Sequence, residues 1–249
     1  MKIIVNADDF GYSKGVNLGI IEAYRNGLVR STTIMPPMPG YEHAVELAQK
    51  NPGLKVGVHL TLSTGKSLCE THKTITDSNG NFLNLKDIER KANAGELNLA
   101  EVEAEYEAQI QKVVSSGIKP SHFDSHHHVH NLPGIVGVFL KLARKYNVNV
   151  RLYNKGLLVG DYIGIKAAKA FDDTFFGEGV SCDNLKSVIG ARSDTSLEIM
   201  CHPAYVDQAL YAGSSYNIKR ALELEVLTSD EMKKYVVTNG HTLCSFADL

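Results

Sequence analysis

KIIVNADDFGYSKGVNLGIIEAYRNGLVRSTTIM, residues 2–35, opens on an apolar, β-branched run, continues with helical spacing and returns to a second β-branched run. Lys2 to Asn6 reads as a strand. Ser13 is placed to cap a helix from about Lys14 to Arg25, with Val16, Ile20, Ile21 and Tyr24 on its apolar face and Asn26-Gly27 ending it. Val29 to Met35 is then a second strand. A strand, a crossover helix and another strand in this order form the repeating unit of a parallel sheet.

The same alternation continues downstream. Pro36-Pro37-Met38-Pro39-Gly40 reads as a rigid loop before a helix bearing Ala44, Val45, Leu47 and Ala48, and Asn51-Pro52-Gly53 as a turn. Lys55 to Leu62 is the third strand, with His59 near its downstream end. Ala100 to Ser116 has helical composition and spacing, Gly117 and Pro120 stop it, and a histidine-rich segment follows as a strand end. Pro133 to Tyr146 reads as a helix, and Val148 to Leu152 and Leu197 to Cys201 as strands. Ser229 caps a helix through about Thr238, and Thr242 to Phe246 is a last strand. Between Ser63 and about Leu97 the periodicity blurs around an Asp77-Ser78-Asn79-Gly80-Asn81 turn, which marks a long insertion able to cover a site. No linker or fixed-period repeat interrupts the chain, so the reading is one α/β domain over residues 1–249, with parallel strands and an insertion at about 63–97.

Apolar residues make up 43% and charged residues 22%, which suits a packed core with a solvated surface and argues against disorder. A formal charge of −2 gives no basic field, so nucleic acid is not an expected partner. No apolar run reaches membrane-spanning length, and the N-terminal segment turns acidic at Asp8-Asp9 before a signal-peptide core forms. The expectation is a cytoplasmic protein with no membrane partner. Cys69, Cys182, Cys201 and Cys244 contain no Cys-x-x-Cys pair and read as free thiols.

Five of the ten histidines fall within the nine residues His122 to His130. Imidazole is the commonest metal ligand at neutral pH. In an extended segment a spacing of two puts Asp124, His126, His128 and His130 on one face and His127 on the other. Other ionisable residues fall at matching places: Asp8-Asp9 follow the first strand, His59 closes the third, and His202 ends the strand near residue 199. In parallel α/β folds the downstream strand ends form one rim, where sites assemble from residues distant in sequence.

One carboxylate and two imidazoles would leave a divalent ion with open positions, the design of a catalytic metal site. A second carboxylate could take a proton from the attacking water, and a histidine opposite could protonate a leaving group. That chemistry fits hydrolysis of an amide or ester. Hydride transfer and a P-loop are not supported, because Gly-x-Gly-x-x-Gly and Gly-x-x-x-x-Gly-Lys-Ser/Thr are absent; the one Gly-x-Ser-x-Gly match, Gly11-Tyr12-Ser13-Lys14-Gly15, holds the Ser13 already read as a helix cap, so a serine-elbow triad is not supported either.

The chain resembles the YdjC-like carbohydrate deacetylases, whose best-described members remove an acetyl group from chito-oligosaccharides. The resemblance is carried by Asn6-Ala7-Asp8-Asp9-Phe10-Gly11, Asn26 to Thr33, Gly57-Val58-His59-Leu60, Pro120 to His130 and Cys201-His202-Pro203. It implies an irregular or incomplete (β/α) barrel of the glycoside hydrolase/deacetylase type, a divalent metal, Mg2+ or Zn2+, and a homodimer. By the family pattern the metal falls on Asp9, His59 and His126, Asp8 is the base, and His202 is the proton donor or transition-state stabiliser. The family commonly has glycine after His-Pro where this chain has Ala204, which bears on the pose of His202.

His128 and His130 share the expected face of His126 and are candidates to replace it or to touch substrate. Phe10, Tyr12 and Tyr205 are candidates to stack on sugar rings. The expected substrate is an acetylated oligosaccharide. Two alternatives stand beside this reading: another metal-dependent amide or phosphoester hydrolase, with Arg30, Arg151 and Lys155 as the available phosphate clamps, or a non-catalytic sugar- or metal-binding module on the same fold.

Overall fold

A computed structural model of the chain describes residues 1–70, 72–151 and 164–249. Leu152, expected in a strand, and Lys155 lie outside the described residues. The first half runs β1 (Lys2–Phe10), α1 (Lys14–Asn26), β2 (Ser31–Ile34), α2 (Tyr41–Lys50), β3 (Lys55–Leu60), α3 (Leu85–Asn93), α4 (Leu99–Ser115) and β4 (His122–Ser125). The second runs α5 (Ile135–Tyr146), β5 (Asn149–Val150), β6 (Ala170–Asp172), α6 (Cys182–Gly190), β7 (Ser196–Cys201), α7 (Gln208–Gly213), α8 (Ile218–Thr228), α9 (Asp230–Thr238) and β8 (Thr242–Cys244). The strands form one parallel sheet in the order β5-β4-β3-β2-β1-β7-β6, with β8 beside the start of β1. The sheet curls into a half-barrel. Arg151, directly after β5, reaches Asp8 on β1 and Glu198 on β7 across the interior, although three and four strands lie between.

The unit that opens the chain forms as its sequence dictates. Ser13 Oγ accepts the N–H of Val16 at 3.2 Å and starts α1, whose Val16, Ile20 and Ile21 are buried against the sheet. β1 is longer than its apolar run, and its alternation explains why. Ile3, Val5 and Ala7 face the helices and join the main core, whereas Ile4 points inward and packs with Ala168, Cys244 and Phe246 to plug the bottom of the half-barrel. Above that plug the inward positions are polar: Asn6 and Asp8, Thr33 of β2, His59 of β3, Asp124 of β4 and Glu198 of β7 are all buried. The polar end of β1 is therefore still strand, with its side chains lining a site.

α3, α6, α7, α8 and β6 were not expected from the sequence. The stretches that hold them lack the clear apolar periodicity of the elements that were. The described residues of 61–84 run mostly without regular structure and are tied to α4 by Glu105, whose buried carboxylate accepts the N–H groups of Leu68 (3.1 Å) and Cys69 (3.2 Å) and the Ser67 hydroxyl (2.7 Å). Among the described residues no helix is long and apolar enough to cross a membrane. All four cysteines are free.

α1 also holds the segment after β7. The Gly15 N–H donates to Asp207 Oδ2 at 2.7 Å, and Gly19 lies so close to Ala204 that a Cβ there would overlap its Cα. Ala204 is fully buried and is not among the described residues with positive φ, so the position after His202-Pro203 requires no glycine. Alanine is ordinarily favoured over glycine inside a helix by about 1 kcal/mol. At Gly19 the overlap with rigid backbone outweighs that gain, and Gly19→Ala is expected to destabilise the fold by about 1–3 kcal/mol, read as a lower urea midpoint at unchanged m-value.

Candidate metal and active site

Neighbouring residues in a regular strand point to opposite faces, yet Asp8 and Asp9 line the same cavity. The cause is a bulge. The pairing of β1 with β2 shifts register between Ala7 and Phe10, and Asp9 takes φ +69°, in the left-handed region. The bulge turns Asp9 inward beside Asp8 and sends Phe10 outward. Phe10, expected at the rim as a stacking surface, is instead fully buried in the core.

The cavity holds about 500 Å³ and lies at the downstream ends of the strands. Asp9 Oδ1 is 3.3 Å from His59 Nε2 and 3.0 Å from His126 Nδ1, and the ligand atoms of the three side chains lie within 4.8 Å of one another. Behind His59, Nδ1 meets Asp124 Oδ1 at 2.7 Å and Thr33 Oγ1 at 3.1 Å. This is the carboxylate–histidine arrangement that orients a metal ligand. Arg220 Nη1 sits 2.8 Å from Asp9 Oδ2, leaving Oδ1 to face the two imidazoles. One carboxylate oxygen and two imidazole nitrogens converging on a cavity fit a divalent ion with open positions. Asp8 and Asp124 also approach His59 closely, but both are ion-paired to the Arg151 guanidinium, which already supplies the cation there.

Charge follows from these contacts. Burial alone would raise the Asp8 carboxyl, but the charge and two 2.7 Å hydrogen bonds of Arg151, aided by His59 and His202, hold it well below the usual carboxylate range. Burial likewise opposes ionisation of Asp9, and Arg220 and His126 overcome it. Burial pushes His59 down, while Asp124 and Asp8 push it further up, to about 10.

The histidine segment departs from the extended geometry. β4 ends at Ser125, and His126–Asn131 turns as a short 3₁₀ segment in which His127 and His128 take φ +54° and +55°. The two-residue alternation fails there, and His127, expected opposite His126, lines the same cavity, with Nδ1 2.9 Å from Ser63 Oγ. His128 also lines the cavity, edge-on to Phe171. His130 lies behind it, its Nδ1 2.5 Å from Ser125 Oγ and its ring stacked on Phe139. Burial pushes His127 and His128 down to about 3.

His202 closes the cavity from the end of β7. Its backbone N–H donates to the buried carboxylate of Glu223, whose Oε1 lies 3.7 Å from His202 Nδ1. Tyr12 lines the cavity, whereas Tyr205 is half-exposed beside α1, its N–H donating to Gly15 O at 3.1 Å. The sequence did not point to Arg220, Glu223, Phe176 or Tyr216, and it offered Arg151 only as a phosphate clamp. No local pattern marks these residues, because they reach the cavity through tertiary packing alone.

Fold and site together define a curled parallel α/β half-barrel with a candidate metal centre at its strand ends. The family model for YdjC-like proteins matches residues 2–237, and the chain belongs to that family. It is 42% identical over 255 residues to a carbohydrate deacetylase of Brevibacillus brevis, with all of both chains covered. Among solved structures, a candidate cellobiose-phosphate cleavage protein of Enterococcus faecalis superposes with a TM-score of 0.90 at 33% identity, covering 99% of this chain and 98% of that one. The peptidoglycan N-acetylglucosamine deacetylase Bc1960 shares the fold at a TM-score of 0.54 and 12% identity, over 98% of this chain and 85% of that one.

In the metal-free protein His59 keeps a proton up to about pH 10, and that proton must leave before Nε2 can bind a metal. Zn2+ binding is therefore expected to release a proton and to tighten by about tenfold per pH unit between about pH 6 and 8. Calorimetric titration in buffers of different ionisation enthalpy checks this. Asp124→Asn removes the largest of the charges that raise His59 and is expected to lessen the release.

Proposed function

We propose that the protein removes N-acetyl groups from carbohydrates, with acetylated chito-oligosaccharides as the substrate class. The observation that carries this reading is the pairing of two differently held carboxylates at one cavity: Asp9 faces two imidazoles, and Asp8 beside it faces a guanidinium. The first arrangement suits a ligand and the second an ionised base. Family membership, with a relative named carbohydrate deacetylase at 42% identity, supports the same reaction.

In this mechanism Asp9, His59 and His126 hold the ion, which when bound supplies Lewis-acid polarisation of the acyl carbonyl and makes water a stronger acid. Asp8 accepts the proton of the attacking water, and the bidentate contact with Arg151 fixes its orientation. Water adds to the acetamido carbon, the C–N bond breaks, and acetate leaves. His202, across the cavity, delivers a proton to the departing amine. Glu223, bonded to the His202 backbone, fixes where that ring stands. Tyr12 and His128 on the cavity wall are placed to touch the sugar.

A phosphoester substrate is less well served by the described residues. Arg30 Nη1 donates to the carbonyls of Tyr24, Gly27 and Val29 at the end of α1, and Arg151 is surrounded by carboxylates. Neither is placed to clamp a phosphate.

The test is acetate release from N-acetylated chito-oligosaccharides by chelator-treated protein, with and without added Mg2+, Mn2+ or Zn2+. Metal-restored release that His126→Ala abolishes is the expected result. Asp8→Asn is expected to keep wild-type metal stoichiometry while kcat falls by about a hundredfold or more. Full activity of Asp8→Asn would remove Asp8 from the role of base. No acetate from any chain length with any metal would remove the deacetylase reading.

A further inference from the structure

Opposite the histidine segment the cavity wall is aromatic. Phe176, four residues past β6, lines the cavity with 43% of its surface exposed. Its ring stacks on Tyr216, centroids 3.9 Å apart and planes at 25°, and stands edge-on to His202 at 5.6 Å. Tyr216 cannot swing away. Its hydroxyl donates to Glu223 and accepts the Gly177 N–H at 3.2 Å, and its ring lies 5.5 Å from the Arg220 guanidinium. Phe176 is thus backed on one side by a fixed ring and is open to the cavity on the other. Beside it Asp173 and Ser215 also line the cavity.

An exposed, rigidly backed aromatic face flanked by a carboxylate and a hydroxyl matches a pyranose, which presents an apolar face of C–H groups and a rim of hydroxyls. We propose that Phe176, supported by Tyr216, is the platform on which the sugar ring bearing the reacting acetamido group stacks, with Asp173 accepting hydrogen bonds from its hydroxyls. The proximity of Phe176 to His202 assigns it the reacting ring: a sugar on the platform lies within one ring of the group that protonates the departing amine. This assignment rests on the deacetylase reading for the identity of the ring, but sugar stacking itself does not.

The test is calorimetric binding of two probes, cellobiose to the metal-loaded wild-type protein and N,N′-diacetylchitobiose to the metal-loaded Asp8→Asn protein, each with and without a change at Phe176. Phe176→Ala is expected to weaken both by about tenfold, the scale of one lost aromatic contact, and Phe176→Trp to leave both within about threefold. Asp173→Ala is expected to weaken both by a smaller factor. Near-equal affinities for wild type and Phe176→Ala, in protein that deacetylates chito-oligosaccharides, would overturn the platform and leave the reaction standing. Phe176-dependent binding of cellobiose without acetate release from any acetylated sugar would keep the platform and overturn the deacetylase reading. Absence of binding by either probe would overturn the platform.

Discussion

A fully buried guanidinium dictates the interior of this half-barrel. Arg151 has no exposed surface, and it meets Asp8 of β1, Asp124 of β4 and Glu198 of β7, carboxylates from three strands. A guanidinium cannot shed its proton, so the strands must supply the compensating charge or the fold loses it as an unpaired buried ion. The carboxylates are not equivalent. Asp8 takes two hydrogen bonds from Arg151 and stays ionised, whereas Glu198 takes one, leaves Oε2 without a partner among the described residues, and is pushed by burial up to about 7 despite that cation. The contact that closes the barrel interior therefore also sets which acid at the cavity is an ionised, oriented carboxylate.

Backbone strain gathers at the same place. The described non-glycine residues with positive φ are Asp9, His127, His128 and Asn147. Asn147 follows the end of α5, a position where asparagine adopts this conformation readily. The other three line the cavity, and each costs about 1–2 kcal/mol relative to an ordinary backbone. Such strain persists only where the surroundings over-determine it. At the histidine turn they do, since Ser125 Oγ accepts the His130 N–H at 2.9 Å and also meets His130 Nδ1. His130, although it does not face the cavity, fixes the turn that presents His126, His127 and His128 to it.

These two features explain what was legible in the sequence. Strand–helix–strand order, the rim of strand ends and the convergence of Asp8-Asp9, His59, the histidine segment and His202 all follow from local pattern plus the geometry of parallel sheets. Two expectations then failed, both where the backbone turns left-handed. Phe10 was expected near the rim, and alternation put His127 opposite His126; the bulge at Asp9 and the turn after Ser125 reverse both. Spacing could not choose among His126, His128 and His130, because spacing presumes the extended strand that the turn interrupts. Arg151 was visible as a residue but not as the partner of Asp8, Asp124 and Glu198, a relation that exists only once the sheet has curled.

The two walls of the cavity are built differently, and this bears on how binding and chemistry relate. One wall consists of strand ends whose positions are fixed by sheet register. The other comes from loop and helix: His202 after β7, Phe176 after β6, Tyr216 just before α8 and Arg220 in its first turn, with Glu223 of α8 behind them. Tyr216 joins these pieces, since its ring carries Phe176, its hydroxyl meets Glu223, and Glu223 in turn holds the backbone of His202. Arg220, near the face of the same ring, reaches back to Asp9 on the opposite wall. Phe176 is thus connected through one tyrosine to Glu223 and the backbone of His202 and, through one arginine, to a carboxylate of the candidate metal centre. α8, a helix not expected from the sequence, supplies both Arg220, which reaches Asp9, and Glu223, which holds the backbone of His202.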